Sequence, residues 1–298
     1  MSTGTHEITL PVIDTTAIAE VADAIWVIPD SDYTPLVPNI GIIVGPRATL
    51  VIDTGFGPEN ARAVLQQART LSRGGHIFLT HTHCHPEHGF GANAITDEVT
   101  TVYNDAQWIE LQEKGRTLLP MFKDKMPALA GMLDGVDFVV PDIRYSGSLK
   151  LDLGGDMLVE LHEVGGAHSR GDQAIIVHGS RTVVFSGDLV EEKTFAILGD
   201  NESHVLPWID RLNRLEQMNP EIVVPGHGHV GGAQIVRDYR AALEFAKRRV
   251  AEIRETYGNP ESEIVEQVTD ELLALHPDWR NAQWAGRIVA DLSWPARR

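Results

Sequence analysis

The stretch from Ile77 to Ala92, IFLTHTHCHPEHGFGA, places four histidines and one acid within eight residues. Its working frame is His83-x-His85-x-Glu87-His88. In a loop, a His-x-His pair can turn both imidazoles toward one point, and the adjacent Glu87-His88 pair can serve a second point nearby. Neutral imidazole and carboxylate are ligands that Zn²⁺ accepts at about 2.0–2.2 Å. The other frame, starting at His81, puts Pro86 where a further ligand is needed. One loop histidine is ordinarily solvated, and two form a surface patch. Four at alternating spacing beside an acid point to metal binding. Cys84 stands between His83 and His85, where a catalytic thiol could be imagined. If the flanking imidazoles face a metal, alternation turns Cys84 away, toward a packing or outer position.

The elements that position these residues are short apolar strands. The run ending in Thr80 reads as a buried strand that delivers the histidine loop. The same arrangement recurs three times. His168 follows MLVELHEV in Gly165-Gly166-Ala167-His168-Ser169, Asp188 follows VVF in Ser186-Gly187-Asp188, and His227 follows EIVV in Pro225-Gly226-His227-Gly228-His229. Asp53 ends a fifth apolar run, Val51-Ile52-Asp53-Thr54-Gly55. It reads first as a turn or helix cap and second as a carboxylate orienting a ligand. His83, His85, Glu87, His88, His168, Asp188 and His227 supply about the ligands a two-metal hydrolytic centre needs, with room for a bridging water.

Around them, EITLPV and AIWVIPD read as strands, and Asn39–Val44 pairs with Ala48–Ile52 as a hairpin across Gly45-Pro46-Arg47. Pro58 to Ser72 has helical spacing, with Pro58 suited to a first turn. VTTVYN is a strand. Residues 105–135 are helical but broken at Gly115, Pro120, Pro127 and Gly131. Their large apolar side chains suit a core segment and a pocket border equally, and Met121, Phe122 and Met126 are the candidate substrate-binding residues. DFVVPD, GSLKLDL, MLVELHEV, QAIIVHG and RTVVFSGD make residues 138–185 an all-β stretch. Helices follow at Trp208–Met218, Ala233–Tyr257 and Glu261–Leu275, with Trp279, Trp284 and Trp294 in the tail. No repeat or linker divides the chain. We expect one domain over residues 1–298, with a helical insertion at about 105–135 and a C-terminal helical extension at about 233–298.

The 298 residues carry 25 Lys plus Arg against 42 Asp plus Glu, a net charge of −17 with no basic cluster. Such a surface repels nucleic acid, which argues against a nuclease. Hydrophobic content of 43% and charged content of 22% are those of a soluble globular enzyme. A single cysteine precludes an internal disulfide. The N-terminus has no basic segment followed by an apolar one, and no run is long enough to span a membrane, so the sequence predicts a cytoplasmic protein without a membrane partner.

At these residues the sequence resembles the metallo-β-lactamase-fold superfamily of metallohydrolases. Thr82-His83-Cys84-His85-Pro86-Glu87-His88-Gly89-Phe90-Gly91 stands in place of the family's Thr-His-x-His-x-Asp-His-x-Gly-Gly. Asp53 in VIDTG, His168 in GGAHS, Asp188 in FSGD and His227 in VVPGHG match further motifs in order, over about residues 20–235. The resemblance implies an α/β fold, an αβ/βα four-layer sandwich with its metal site at one edge of the two sheets. It implies that His83, His85 and His168 hold one Zn²⁺, that Glu87, His88 and His227 hold a second, and that Asp188 bridges them. His81, His162 and His229 match no ligand position. Two departures are Glu87, one methylene longer than the family's aspartate, and Phe90, in place of a glycine. The first bears on the second metal and on proton handling, which falls to Glu87 and Asp188 as catalytic residues.

The chemistry expected is hydrolysis, because Zn²⁺ lowers the pKa of a coordinated water to about 7. The expected substrate is a small molecule, a fairly apolar carboxylic ester, lactone or thioester. Members that destroy β-lactams are usually exported, and those acting on phosphodiesters meet polyanions that a charge of −17 disfavours. Glutathione-thioester hydrolases of this fold use basic residues near the C-terminus, where Arg248, Arg249 and Arg254 stand here without a motif-level match. The alternatives are a β-lactam hydrolase and an iron-dependent persulfide dioxygenase-like enzyme, since His and Asp ligands do not separate Fe from Zn. A homo-oligomer is compatible with the composition.

Overall fold

Strands covered on both faces read as continuous apolar runs, and most strands here are of that kind. The computed structural model describes residues 9–30, 32–72, 74–138, 140–257 and 261–293. One sheet takes β1 (Ala19–Ala22), β2 (Ile25–Ile28), β3 (Ile40–Val44), β4 (Ala48–Ile52), β5 (His76–Thr80), β6 (Thr100–Asn104) and β7 (Ile143–Tyr145) in chain order. Pairing is antiparallel up to β4 and parallel from β4 to β7. The second sheet contains β8 (Ser148–Asp152), β9 (Leu158–Glu163), β10 (Gln173–His178), β11 (Thr182–Gly187) and β12 (Ile222–Pro225), in the order β12-β11-β10-β9-β8. There only β11 and β12 are parallel.

The period of two along each strand sorts side chains between layers. Leu50 and Ile52 of β4 meet Ile175, Val177, Val183 and Phe185 of the other sheet in a central core. Val51 points the other way, onto Ala61, Val64, Leu65 and Ala68 of α1 (Pro58–Leu71). Ile176, Val184 and Val223 face α5 (Val205–Gln217) and α6 (Gln234–Tyr257), joined by α7 (Glu261–Leu275) and α8 (Ala285–Ser293). Helix, sheet, sheet and helices form the expected αβ/βα sandwich.

Direction places the functional residues. β4, β5 and β6 run parallel in one sheet. In the other, β9 and β11 flank β10 antiparallel and so share the direction of β12. The carboxyl ends of β4, β5, β9, β11 and β12 carry Asp53, the histidine loop, His168, Asp188 and His227.

Some elements differ from those expected. Thr9–Val12, the described part of EITLPV, forms no strand, and the rest of that segment lies outside the described residues. The described residues of DFVVPD form no strand either. Asp142 ends it by accepting from the backbone N–H and hydroxyl of Thr101, each at 2.8 Å, and the strand that pairs with β6 starts one residue later. β1 and α8 are not among the expected elements, although Ala285, Ile288, Val289 and Leu292 of α8 have helical spacing. Residues 105–135 divide into α3 (Asp105–Glu110), a π-helical turn (Leu111–Gly115), α4 (Arg116–Lys125) and a 3₁₀ stretch (Pro127–Leu133). Trp294 lies outside the described residues.

Candidate metal centre

The loop after β5 turns at once into α2 (Pro86–Gly89), with His85 at its N-cap and Pro86 fixing the first helical φ. This short turn puts Glu87 and His88 on the side of the centre opposite His85. His83, His85, His168 and Asp188 each bring one donor atom into a group whose atoms lie within 4.8 Å of one another. Glu87, His88, Asp188 and His227 form a second such group, so Asp188 belongs to both. Its Oδ2 lies 3.8 Å from His83 Nε2 and 3.6 Å from His168 Nε2, while its Oδ1 lies 3.4 Å from His88 Nε2 and 3.7 Å from His227 Nε2. His85 turns Nδ1 inward, 2.8 Å from His168 Nε2. The longer arm of Glu87 does not keep its carboxylate out of the second group.

Asp188 reaches this position because two glycines make room. Gly187 has φ +51°, and a Cβ on Gly226 would stand 1.8 Å from Asp188 Oδ1. His168 is held by a turn whose N–H groups at His168 and Ser169 donate to Asp172, at 2.8 and 2.9 Å. The His227 loop is fixed by Asn39, whose side-chain amide donates to Pro225 O and Gly228 O at 2.9 and 2.8 Å.

Three of the five inward imidazoles are aimed by a backbone carbonyl or carboxylate on the opposite ring nitrogen, as metal-binding imidazoles usually are. His168 Nδ1 lies 3.2 Å from Ile197 O, and His227 Nδ1 lies 2.9 Å from Val37 O. His88 Nδ1 lies 2.9 Å from Asp53 Oδ2. Asp53 is therefore more than a turn cap. It also accepts from the Thr82 N–H at 2.7 Å and the Thr82 hydroxyl at 2.9 Å, which ties β4 to the histidine loop. Asp53 adopts φ 68°, a conformation held only by its surroundings.

The electrostatics ask for a cation. His83 Nε2, His88 Nε2 and Asp188 Oδ1 are buried without a hydrogen-bond partner, a costly state unless something binds them. Burial pushes His83 down and His168 down to about 3, leaving neutral imidazoles. Burial would raise Asp188, but the charges of His227, His88 and His83 outweigh it and hold the carboxyl well below its ordinary value. Burial would lower His88 and His227, but Asp188 dominates, keeping His88 well above the usual histidine range and His227 at about 10. A proton and a metal ion would compete for those two Nε2 atoms. The donor set and its orphaned atoms fit two divalent ions.

A cavity of about 280 Å³ opens onto the second group. Glu87, Asp188 and His227 share its wall with Tyr33, Leu36, Glu191, Ile197 and Arg280. Met121, Phe122 and Met126 are not part of that wall. Phe122 and Met126 pack against a satellite core of Phe56, Cys84, Phe90, Tyr103 and Trp108, and Met121 is 40% exposed. Leu36, a residue of the cavity wall, packs on the same satellite core. Phe90, the departure from glycine, fills that core against Phe138 at 5.0 Å between ring centroids. Cys84 is buried in it too, facing away from the centre, and burial pushes its thiol well up. Arg248, Arg249 and Arg254 serve the helices instead. They contact Glu252, Glu271 with Glu252, and Ser293 O. Tyr33, Leu36, Glu191, Ile197 and Arg280 carry no local sequence signal, since loop closure alone brings them together. His81 lies 2.9 Å from the Tyr103 hydroxyl, His162 pairs with Glu160, and His229 is exposed.

A linear primary-alkylsulfatase of a Pseudomonas species is 22% identical over 265 residues, covering 76% of this chain and 49% of its own length. A type 2 metallo-beta-lactamase of Bacteroides fragilis is 26% identical over 100 residues, covering 33% of this chain and 39% of its own. The chain thus spans half the length, or less, of the curated relatives it matches. Among solved structures, a stereoselective inverting sec-alkylsulfatase from a Pseudomonas species superposes with a TM-score of 0.68 at 17% identity, covering 93% of this chain and 49% of that one. A metallo-beta-lactamase from Pontibacter korlensis gives 0.58 at 17% identity, covering 75% and 96%. A family profile described as the metallo-beta-lactamase superfamily matches residues 33–227, which takes in every strand end that feeds the two groups. The chain belongs to the metallo-beta-lactamase superfamily.

Proposed function

We propose that this chain is a hydrolase that uses two divalent metal ions, zinc by preference, on a small and fairly apolar carboxylic ester, lactone or thioester. The observation that carries the proposal is the pair of donor groups sharing Asp188, with buried donor atoms that no protein group satisfies. His83, His85 and His168 would hold one ion, Glu87, His88 and His227 the other, and Asp188 both. Bound metal supplies Lewis acidity and a water that ionises near neutral pH.

The chain's own residues do the rest. Asp53, Val37 O and Ile197 O hold the imidazoles in the tautomers that leave the inward nitrogens free. Asp188 and Glu87 are the carboxylates placed to take a proton from water and return it to the leaving group. Leu36, Ile197 and the ring of Tyr33 give the cavity apolar walls that favour an acyl chain over a polyanion.

Elemental analysis of protein purified without added metal, paired with a hydrolysis screen, tests this. The screen takes lactones, thioesters, aryl esters, cephalosporins and alkyl sulfates, with and without chelator. Zinc near two per chain and chelator-sensitive turnover of an ester, lactone or thioester are expected. Iron alone, or turnover confined to cephalosporins or alkyl sulfates, would replace the reading. Stepwise chelation sharpens it. Glu87→Asp should retain most activity and Glu87→Gln little, with the ion held by Glu87 leaving first.

A further inference from the structure

Among the described residues, Arg280 is the only arginine or lysine in the wall of the cavity that opens onto the centre. It comes from the C-terminal extension, well beyond residue 227 where the family profile ends. Its backbone is fixed there. The Arg280 N–H donates to Lys193 O at 2.8 Å, the Phe195 N–H donates to Arg280 O at 3.1 Å, and Arg280 bridges Thr194 in parallel register. Trp279 anchors the same turn, 5.3 Å from the Phe195 ring.

The guanidinium carbon lies 3.8 Å from the centroid of the Tyr33 ring. Such a contact uses the guanidinium face and leaves its N–H edges available for a planar acceptor. Tyr33 is a built platform. It holds φ 50°, its hydroxyl donates to Glu192, and His229 Nδ1 lies 2.9 Å from that hydroxyl. Among the described residues no carboxylate lies within 4.0 Å of the Arg280 guanidinium, although acids surround it in sequence and space. Asp278 pairs with Lys193 at 3.1 Å, Glu192 takes the Tyr33 hydroxyl, and Asp30 accepts the Thr34 N–H at 2.8 Å beside His227. Glu87 and Asp188 belong to the donor groups, and Glu191 is buried.

We propose that Arg280 receives a carboxylate on the substrate, so that the molecule hydrolysed is an anionic ester, lactone or thioester. This rests on the hydrolase reading above and narrows it. The apolar part lies along Leu36 and Ile197, the scissile acyl group faces Asp188 and Glu87, and the carboxylate meets the guanidinium edge. A net charge of −17 would otherwise turn such a substrate away, and a fixed arginine at the mouth reverses that locally.

Two measurements test the proposal, and only one needs turnover. Calorimetry with glutarate on zinc-loaded protein compares wild type with Arg280→Met and Arg280→Lys. Glutarate should bind wild type at least tenfold more tightly than Arg280→Met, with Arg280→Lys between them, because lysine keeps the charge and loses the fork. Equal binding to all three, or none to any, overturns the proposal even if esters are hydrolysed. The second measurement compares aryl hemiglutarate with aryl butyrate. Arg280→Met should reduce the kcat/KM preference for the hemiglutarate at least tenfold, chiefly through KM. A preference that does not change overturns the proposal. If neither ester is hydrolysed, the hydrolase reading fails while the glutarate result still decides the role of Arg280.

Discussion

Two clusters of ligand-type side chains lie on either side of the histidine loop, and they differ in what fills them. In the centre around Asp188, three buried donor atoms have no partner. In the other, Glu110, Asp200 and Glu202 bring oxygens within the same 4.8 Å. There Lys114 already occupies the middle, 2.6 Å from Glu110, 2.8 Å from Asp200 and 2.9 Å from Glu202. The Asp200 contact is an ion pair without hydrogen-bond geometry. The π-helical turn over Leu111–Gly115 contains Lys114, and such turns gather at functional sites. Acidic residues in proximity do not make a metal site. The first cluster holds three buried donor atoms without a partner, whereas the second is neutralised by its own lysine.

The largest expected effect breaks the centre. His83→Ala or His85→Ala should cut activity more than about 100-fold, beyond the loss typical of an outer partner, and reduce bound metal. Elemental analysis and kcat/KM measured together check this. Full metal content with full activity would make the centre no more functional than the Lys114 cluster.

Asp53→Asn probes the aim of one nitrogen. Asp53 Oδ2 fixes the His88 tautomer from 2.9 Å, and an amide can present the wrong group to Nδ1. Metal affinity at the second group should fall about 10- to 100-fold with the first less affected. A chelator titration followed by metal analysis separates the two.

Lys114→Met tests the other side. Glu110 is fully buried, so removing its cation should cost about 3 kcal/mol of stability, as breaking a buried pair does, while metal stoichiometry holds. The sign with pH follows from the shifts. Burial would raise Asp200, but His85 and Lys114 outweigh it and hold the carboxyl below its ordinary value. Burial would lower Lys114, but Asp200, Glu110 and Glu202 raise it above its ordinary value. The Asp200 contribution is therefore present above pH of about 4 and lost as the pH falls further. The Lys114 contribution is present below pH of about 10 and lost as the pH rises. Denaturant melts should show the wild-type advantage widest between those limits and shrinking in acid. A difference independent of pH would mean that the lysine acts by packing alone.

The two clusters also differ in how readily the sequence reveals them. Each donor around Asp188 stands directly after an apolar strand, so local pattern singled out all seven side chains that the structure brings together. Lys114 and Asp200 stand far apart, on a π-helical turn and a loop. Tyr33, Ile197 and Arg280 are likewise loop residues that meet only when the C-terminal extension packs on the 193–195 segment. Met121, Phe122 and Met126 show an ambiguity of another kind. Helix breakers beside large apolar side chains suggested a pocket wall, and the satellite core absorbed two of the three. Asp53 shows the limit at single-residue scale. A turn cap and a ligand-orienting carboxylate look the same until His88 and Thr82 are placed.

The smallest effect is expected where the two clusters touch. Cys84 stands between His83 and His85, yet its side chain packs among Phe56, Phe90, Tyr103 and Trp108. Burial raises its thiol, and the carboxylates of Glu110 and Asp200 raise it further, with Lys114 opposing them. The thiol therefore stays protonated and unreactive at neutral pH. Cys84→Ser should leave metal content unchanged and alter kcat/KM less than about threefold. Its cost should instead be about 1–2 kcal/mol of stability, from a hydroxyl placed in an apolar core. Alkylating reagents should modify the native protein slowly and the unfolded protein quickly. Loss of activity on alkylation without unfolding, with metal retained, would show that the thiol faces the centre and that alternation along the loop had been misjudged.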